Sequence, residues 1–311
     1  MENSIYCSPT HMRLLIGSAE AKQVRIDGFE EAPLPEDGMI NSIITDENKM
    51  VGFFEDVQSR HGIGRNNTAL TIHTNSIQTK VMDVPRVPEA KALEFIRREF
   101  VQYDGLGAGE PAEEDIYDYT ILNNKSASGG VTLLAASVPA QLLRSYRNVL
   151  ADAGFKLKSI NVGVNCNVKL VRFLPQLAQE SFVLVQADGR NLSLSLFIAG
   201  VFRVTNRYRL VAELGTKDRL MEIGSNVSSM LQFAVSQRDE DTPPVGSAVF
   251  AGFHEAEFSL IAQEFAYLNV ELKKIDLSDA VRLSGPAAEH AESAGFNPGF
   301  YLFNIGAMLK K

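Results

Sequence analysis

Phe182-Val183-Leu184-Val185-Gln186-Ala187-Asp188-Gly189-Arg190-Asn191-Leu192-Ser193-Leu194 reads as strand, tight turn, strand. Asp-Gly supplies the turn chemistry. Beyond it, Leu192, Leu194, Leu196 and Ile198 alternate with Ser193, Ser195 and Phe197, the pattern of a half-buried strand. The same layout stands near the start, where Ser4-Ile5-Tyr6-Cys7-Ser8-Pro9-Thr10-His11-Met12-Arg13-Leu14-Leu15 places Ser-Pro-Thr at the turn. Each hairpin opens a half in which a strand meander gives way to alternating helices and strands. The chain therefore reads as an α/β architecture used twice.

Working outward, the first half carries strands over Met12–Gly17 and Gln23–Ile26, after which Pro33 and Pro35 break the chain. Met50, Phe53, Phe54 and Val57 recur at helical spacing and predict a helix over Asp46–Ser59, with Thr45 or Asp46 as its cap and Gly62 and Gly64 at its end. Strands at Ala69–His73 and Gln78–Val84, a helix over Glu89–Phe100, a Gly-rich loop from Gly105 to Pro111, a strand at Tyr117–Leu122 and a polar turn to Gly130 form a small insert, about 64–129. Val131–Ser137 is continuously apolar, as in a strand buried on both faces. A helix from Pro139 to Ala153, a strand at Leu157–Val162 and a helix over Val164–Leu174 follow. The second half continues with a strand at Val201–Arg209, a long helix over Thr216–Gln237, a strand at Ala248–Ala251, a helix over Glu257–Ala266 and a strand at Val270–Lys273. A closing helix, Phe300–Lys310, would set Lys310 and Lys311 at the negative end of its dipole. The expected division is 1–179 and 180–311.

Composition narrows the function. The chain has 311 residues, is 45% hydrophobic and 22% charged, and carries a net charge of −8. That size suggests two lobes, and the acidic balance argues against a nucleic-acid partner. No apolar run reaches 18 residues, and the polar, acidic start Met1-Glu2-Asn3-Ser4 is unlike a secretory signal, so a cytoplasmic location is expected. Cys7 and Cys166 read as small buried thiols, and the five histidines lack metal-ligand spacing. The Gly105–Gly109 run does not sit between a strand and a helix as a dinucleotide loop must, and the acidic stretch Glu110–Asp115 reads as a solvated loop. Arg203, Arg207 and Arg209 alternate on one strand and would share a face, which leaves an edge or interface role and simple solvated charge both open.

Several segments, in order, resemble the PilM-type actin-like proteins of type IV pilus assembly, which are related to the cell-division protein FtsA. They are Ala69-Leu70-Thr71-Ile72-His73 through Val84-Pro85, Glu89 to Glu99, Leu133-Leu134-Ala135-Ala136 with the helix to Gly154, Ser159-Ile160-Asn161-Val162, and Tyr301 to Leu309. The resemblance implies a two-lobed actin-like (ribonuclease H-like) α/β fold with a small α/β insert in the first lobe and a reduced subdomain in the second. It also implies where a nucleotide would sit. The first phosphate turn of the family, D-I-G-x-x-x-[IV]-K, falls on Tyr6, Ser8, Thr10 and Arg13, with Tyr6 at the Asp position and Ser8 at the Gly position. The second turn falls on Gln186 to Leu192, with Gln186 for the Asp and Asp188, before Gly189, for the Gly. The adenosine turn falls on Gly252-Phe253, where Phe253 is expected to crowd the base. Ser8, Thr10, Asp188, Gly189 and Gly252 are thus the cofactor-site positions, in degenerate form. A tyrosine offers Mg²⁺ no carboxylate, and a serine Cβ obstructs close approach to phosphate. The expectation is no catalytic residue, no metal ligand and no required cofactor, with ATP and Mg²⁺ disfavoured.

The resemblance further implies a partner, the cytoplasmic N-terminal tail of a PilN-type inner-membrane protein, docked in a groove between the first lobe and its insert. The chain would sit at the inner face of the cytoplasmic membrane through that partner, with self-association open and no direct membrane insertion. The alternative is a nucleotide-binding actin-like ATPase or sugar-kinase relative in which Asp188 faces the metal. A polymer-forming protein is a third reading.

Overall fold

A computed structural model describes residues 2–63, 67–103, 115–124, 129–238 and 241–310. The chain opens with β1 (Glu2–Cys7), β2 (His11–Ala19), β3 (Val24–Pro33), the short pair β4 (Met39–Ile40) and β5 (Ile43–Ile44), and α1 (Glu47–His61). There follow β6 (Asn67–Ile72), β7 (Gln78–Val84), α2 (Glu89–Tyr103), β8 (Asp115–Asn123), β9 (Val131–Pro139), α3 (Ala140–Asp152), β10 (Lys156–Val162) and α4 (Gly163–Phe173). The second half holds β11 (Phe182–Asp188), β12 (Asn191–Ile198), β13 (Val201–Arg209), α5 (Lys217–Ser236), β14 (Ser247–Ala251), α6 (Glu255–Glu264), β15 (Glu271–Lys274), β16 (Val281–Leu283), α7 (Gly285–Ala294) and α8 (Leu302–Met308). Two compact units divide these elements: residues up to Met12 with Glu31–Asn165, and Arg13–Glu30 with Cys166–Lys310.

In the first unit β1, β6 and β10 lie parallel, with Ile5 opposite Leu70 and Leu70 opposite Ile160. A separate antiparallel sheet runs in the order β7-β9-β8. Ala92, Ile96 and Phe100 of α2 pack on one of its faces against Val84, Leu133 and Ala135. The pairings put the strand at 67–72 in the parallel sheet and make β9 the centre of the insert's sheet. The apolar run of β9 reflects its two faces: Leu133 and Ala135 pack on the α2 side, while Leu134, Ala136 and Val138 lie on the other. Asp46 caps α1 by accepting from the Lys49 backbone N–H at 3.0 Å, and Gly62 (φ +54) closes it in the left-handed conformation. Phe54 of α1 meets Phe155 edge-on at 6.0 Å.

In the second unit a five-stranded sheet runs β13-β12-β11-β14-β15. Its first three strands form an antiparallel meander, and β14 and β15 add in parallel. Ile223, Val227 and Met230 of α5 and Ile261 of α6 pack on the face that carries Val183, Val185, Leu194 and Leu196. β2, β3 and β16 follow in a second sheet order, with β16 parallel to β3. Among the described residues α5 is the one helix between β13 and β14. α8 lies against α4 so closely that a Cβ on Gly306 would meet the Cys166 carbonyl oxygen at 2.3 Å.

Some sequence expectations shift. The third strand extends to Pro33 rather than ending at Ile26. Val24 and Ile26 point inward, then Phe29, then Ala32, so the alternation slips at Asp27-Gly28 and again at Glu30-Glu31 and hides the strand's second part. A register shift in the β12–β13 pairing, where Leu196 faces Val204 but Phe197 faces Phe202, leaves Arg203 in a bulge and breaks its alternation with Arg207 and Arg209. The helix after β14 starts two residues earlier than expected, at Glu255. The closing segment is a 3-10 turn, Pro298–Tyr301, followed by the fully buried α8. Leu309 is extended (φ −70, ψ 140), so the exposed Lys310 lies past the helix and does not cap its dipole. The pair β4–β5, β16 and α7 have no counterpart in the sequence reading; the first two are too short to show a period. Gly64 and the Gly105–Pro111 loop lie outside the described residues.

Candidate functional site

The first turn belongs to the first unit. Ser8 donates its backbone N–H to the His11 carbonyl at 2.8 Å and closes the β1–β2 hairpin. Its side-chain Oγ accepts from the backbone N–H of His11 at 2.9 Å and of Thr10 at 3.3 Å. Both amides are therefore held by the turn's own hydroxyl. The Thr10 hydroxyl lies 2.9 Å from His11 Nδ1, and Tyr6 is buried. Ser8 and Thr10 are thus brought together, bonded within the turn.

The second turn belongs to the second unit. Asp188 pairs with Asn191 across the hairpin, so Gly189-Arg190 form a two-residue connection with Gly189 at φ +60, as a primed hairpin turn requires. The Asp188 carboxylate accepts from Arg13 Nη1 at 2.8 Å, with the two side chains 12% and 6% exposed. The Arg13 guanidinium also lies over the Phe300 ring at 5.6 Å, and its carbonyl accepts from Asn304 Nδ2 at 2.9 Å. Gly189 is fixed by a second arginine. Arg219 Nη2 donates to its carbonyl at 3.0 Å, while Arg219 Nε donates to Glu257 at 3.0 Å. Gln186, at the position of the family's second aspartate, accepts from Asn167 Nδ2 at 3.0 Å.

Gly252 follows β14 with φ +76, and a Cβ there would meet the Ala187 carbonyl oxygen at 2.0 Å, so only glycine lets these two turns approach. Phe253, expected beside a base, is 1% exposed and packs edge-on against Phe250 at 5.5 Å, as a core residue of the second unit.

A different feature of the first unit has the form of a binding site. The face of the β7-β9-β8 sheet opposite α2 carries Leu134, Ala136 and Val138 of β9, with Ile116 and Thr120 of β8. Across from it stand the ends of β6 and β10, including Ile72 and Ile160. Between them is a cavity of about 340 Å³, within the range of sites that hold small ligands or peptide side chains. Its floor is apolar. Asp118, Asn161 and Asn165 add polar groups, and Thr120 donates to Asn165 Oδ1 at 2.8 Å. β8 is an edge strand of the insert's sheet, with Ile116 48% exposed. An extended peptide could lie along that edge while placing side chains on the apolar floor. The sequence signal for these residues was the two-faced run of β9: Leu133 and Ala135 face α2, so Leu134, Ala136 and Val138 need another cover.

Beside these sites, burial alone pushes the Cys7 thiol up to about 12. Burial, then the nearby Cys7, raises the Tyr146 hydroxyl well above its ordinary range, and that hydroxyl donates to the Ser42 carbonyl at 2.9 Å. Among the described residues no group of three or more His, Cys, Asp or Glu side chains is arranged to hold a metal ion.

No family model and no curated protein sequence matches the chain. Solved structures do. The chain is similar to a structure from a PilM–PilN type IV pilus biogenesis complex, at 14% identity and a TM-score of 0.75, covering 100% of this chain and 99% of that one. It is also similar to a Bacteroides thetaiotaomicron protein with an actin-like ATPase fold and unknown function, at 10% identity and a TM-score of 0.51, covering 97% and 94%. The class is thereby defined: this is a two-lobed actin-like α/β fold. Within that class the architecture is PilM-like over the whole chain, a distant likeness of fold.

Proposed function

We propose that this protein is an actin-like adaptor of a type IV pilus or related secretion machine. In this reading the groove of the first unit takes the cytoplasmic tail of a bitopic PilN-type membrane protein, and no ATP is hydrolysed. The observation that carries it is the groove itself: an apolar floor beside the edge strand β8, suited to an extended segment with apolar side chains. The full-length likeness to a protein from a PilM–PilN complex supports the choice of partner. The Ser8 hydroxyl on the first turn's amides and the Arg13–Asp188 pair at the second support an adaptor without a working nucleotide site. Among the described residues no helix is long and apolar enough to cross a membrane, so the proposed place at the inner face of the cytoplasmic membrane depends on the partner.

Calorimetric titration with the N-terminal tail of a PilN-type protein tests the reading. Binding is expected, and Ile116→Arg, at a half-exposed position, should weaken it at least about tenfold, which is about 1.4 kcal/mol. No binding to such a tail, or equal binding by the variant, would overturn it. A parallel titration with Mg-ATP addresses the second part. Micromolar affinity, about −8 kcal/mol, would favour a nucleotide-binding protein instead.

A further inference from the structure

We propose that the outer edge of β13 takes an added strand, an extended acidic segment of a partner protein. β13 ends the five-stranded sheet, so its outer edge borders no strand among the described residues. From Arg190 to Leu210 the chain carries four arginines and no carboxylate, in a protein whose net charge is −8. Folding gathers three of these arginines at one corner. Asn191 pairs with Arg209 and Ser193 with Arg207, and the Leu210 N–H donates to the Arg190 carbonyl at 2.7 Å. Arg190 and Arg209 are exposed. Two neighbouring carboxylates are already engaged. Asp188 accepts from Arg13, and Glu222 of α5 accepts from the backbone N–H groups of Val211 and Ala212 at 3.1 Å and 3.2 Å. Glu213 lies past the end of the strand.

The register of β13 sets what that segment looks like. The bulge at Arg203 interrupts the pairing and leaves Val204 to Arg209 as the regular part of the strand. One face of this part carries Thr205, Arg207 and Arg209 beside Ser193 and Ser195 of β12, with Thr205 Oγ1 3.0 Å from Ser195 Oγ. The other face carries Val204, Asn206 and Tyr208, and Val204 and Tyr208 pack against the core of the second unit. A strand laid alongside continues both faces. It sets carboxylates beside the arginines and apolar side chains beside Val204 and Tyr208, so its sequence alternates acidic and apolar residues. Antiparallel addition extends the meander of β11, β12 and β13 and puts the start of the segment beside Val211, which is 80% exposed just past β13. An apolar first residue covers it.

Charges on an edge strand also keep sheets from pairing with one another. Here the charge is all of one sign. Two β13 edges brought together would set arginine against arginine, which bars a second copy from this edge. A strand that carries carboxylates gains at the same positions. The strand edge also selects the class of partner. It presents N–H and C=O groups in alternation, which a peptide backbone matches and a lipid headgroup or a nucleic acid does not. Main-chain hydrogen bonds then supply affinity, and the arginines on alternate positions supply specificity.

Fluorescence anisotropy of the full chain with a labelled synthetic peptide, a leucine followed by alternating glutamate and valine, tests this. Saturable binding is expected. It should weaken at least about tenfold between about 0.1 M and about 1 M salt, as the Debye length falls from about 10 Å to about 3 Å. A peptide with lysine for each glutamate should not bind. Arg190→Glu with Arg209→Glu should weaken the acidic peptide at least about tenfold, and Arg190→Gln with Arg209→Gln, which removes the charge without reversing it, should weaken it less. Bound peptide should slow amide hydrogen exchange over residues 201–210, as a new strand partner requires. No binding, equal binding of the lysine peptide, variants that bind like the wild type, or binding without slowed exchange at 201–210 would each overturn the proposal. So would a dimer of the wild-type chain that the same charge reversal abolishes, because the edge would then belong to a second copy. Ile116→Arg, in the groove of the first unit, should leave this binding unchanged; a loss there would place the peptide in the groove and overturn the assignment to β13. The two docking sites therefore fail or succeed separately.

Discussion

Replacing Arg13 by leucine isolates the ion pair that anchors the second turn. The Arg13–Asp188 pair is close, at 2.8 Å, and almost wholly out of water at 6% and 12% exposure. In that setting the interaction is not the weak surface kind, worth about 0–1 kcal/mol. Removing the cation takes the buried carboxylate's arginine away and should cost about 3–5 kcal/mol. Losing the guanidinium over Phe300 adds about 0.5–2 kcal/mol. Against a typical stability of 5–15 kcal/mol, roughly, that is a large fraction. Asp188→Asn should be comparably harmful because it leaves Arg13 buried without its anion. The double variant Arg13→Leu/Asp188→Asn removes both charges at once and should lose at least about 2 kcal/mol less than the sum of the singles. Arg13→Lys keeps the charge but not the planar fork, and should fall between wild type and Arg13→Leu. Urea unfolding with matched slopes reads all four. If Arg13→Leu stays within about 1 kcal/mol of wild type, or the singles simply add, the pair behaves as an exposed one and the reasoning is refuted.

Other outcomes follow from the same geometry. Gly252→Ala forces a left-handed backbone on a side chain, about 1–3 kcal/mol, and drives its Cβ into the Ala187 carbonyl, so the melting temperature should drop clearly; an unchanged melt would contradict the 2.0 Å approach. Asp46→Ala removes the α1 cap and should cost about 1 kcal/mol in urea unfolding, with Asp46→Asn close to neutral. Folding raises the Cys7 thiol from an ordinary value of about 8.5 to about 12, so the native state holds the proton more tightly than the unfolded chain. Its contribution is full below about pH 8.5 and is lost as pH rises towards about 12, at up to about 1.4 kcal/mol per pH unit. Melts of wild type and Cys7→Ala between pH 8 and 11, about the alkaline window, should therefore converge as pH rises, and a constant gap would speak against a buried neutral thiol.

The two hairpins, the alternating helices and strands behind them, and the helical stripes of α1 and α5 were legible in the residues alone. Side-chain periodicity and turn chemistry are local properties, and Asp46 and Gly62 mark the ends of α1 for the same reason. The unbroken apolar character of Val131–Ser137 announced a strand covered on both sides, but not what covers it. Tertiary structure decided that one cover is α2 and the other an open groove, because the sheet to which β9 belongs is settled by strands distant in sequence. It also decided that Arg13 and Asp188, 175 positions apart, meet as a buried pair. Each alone read as a departure from a phosphate turn; only folding reveals that the two departures compensate each other. Phe253 makes the same point in reverse. Its size was plain in the sequence, but its direction, into the core beside Phe250, was not.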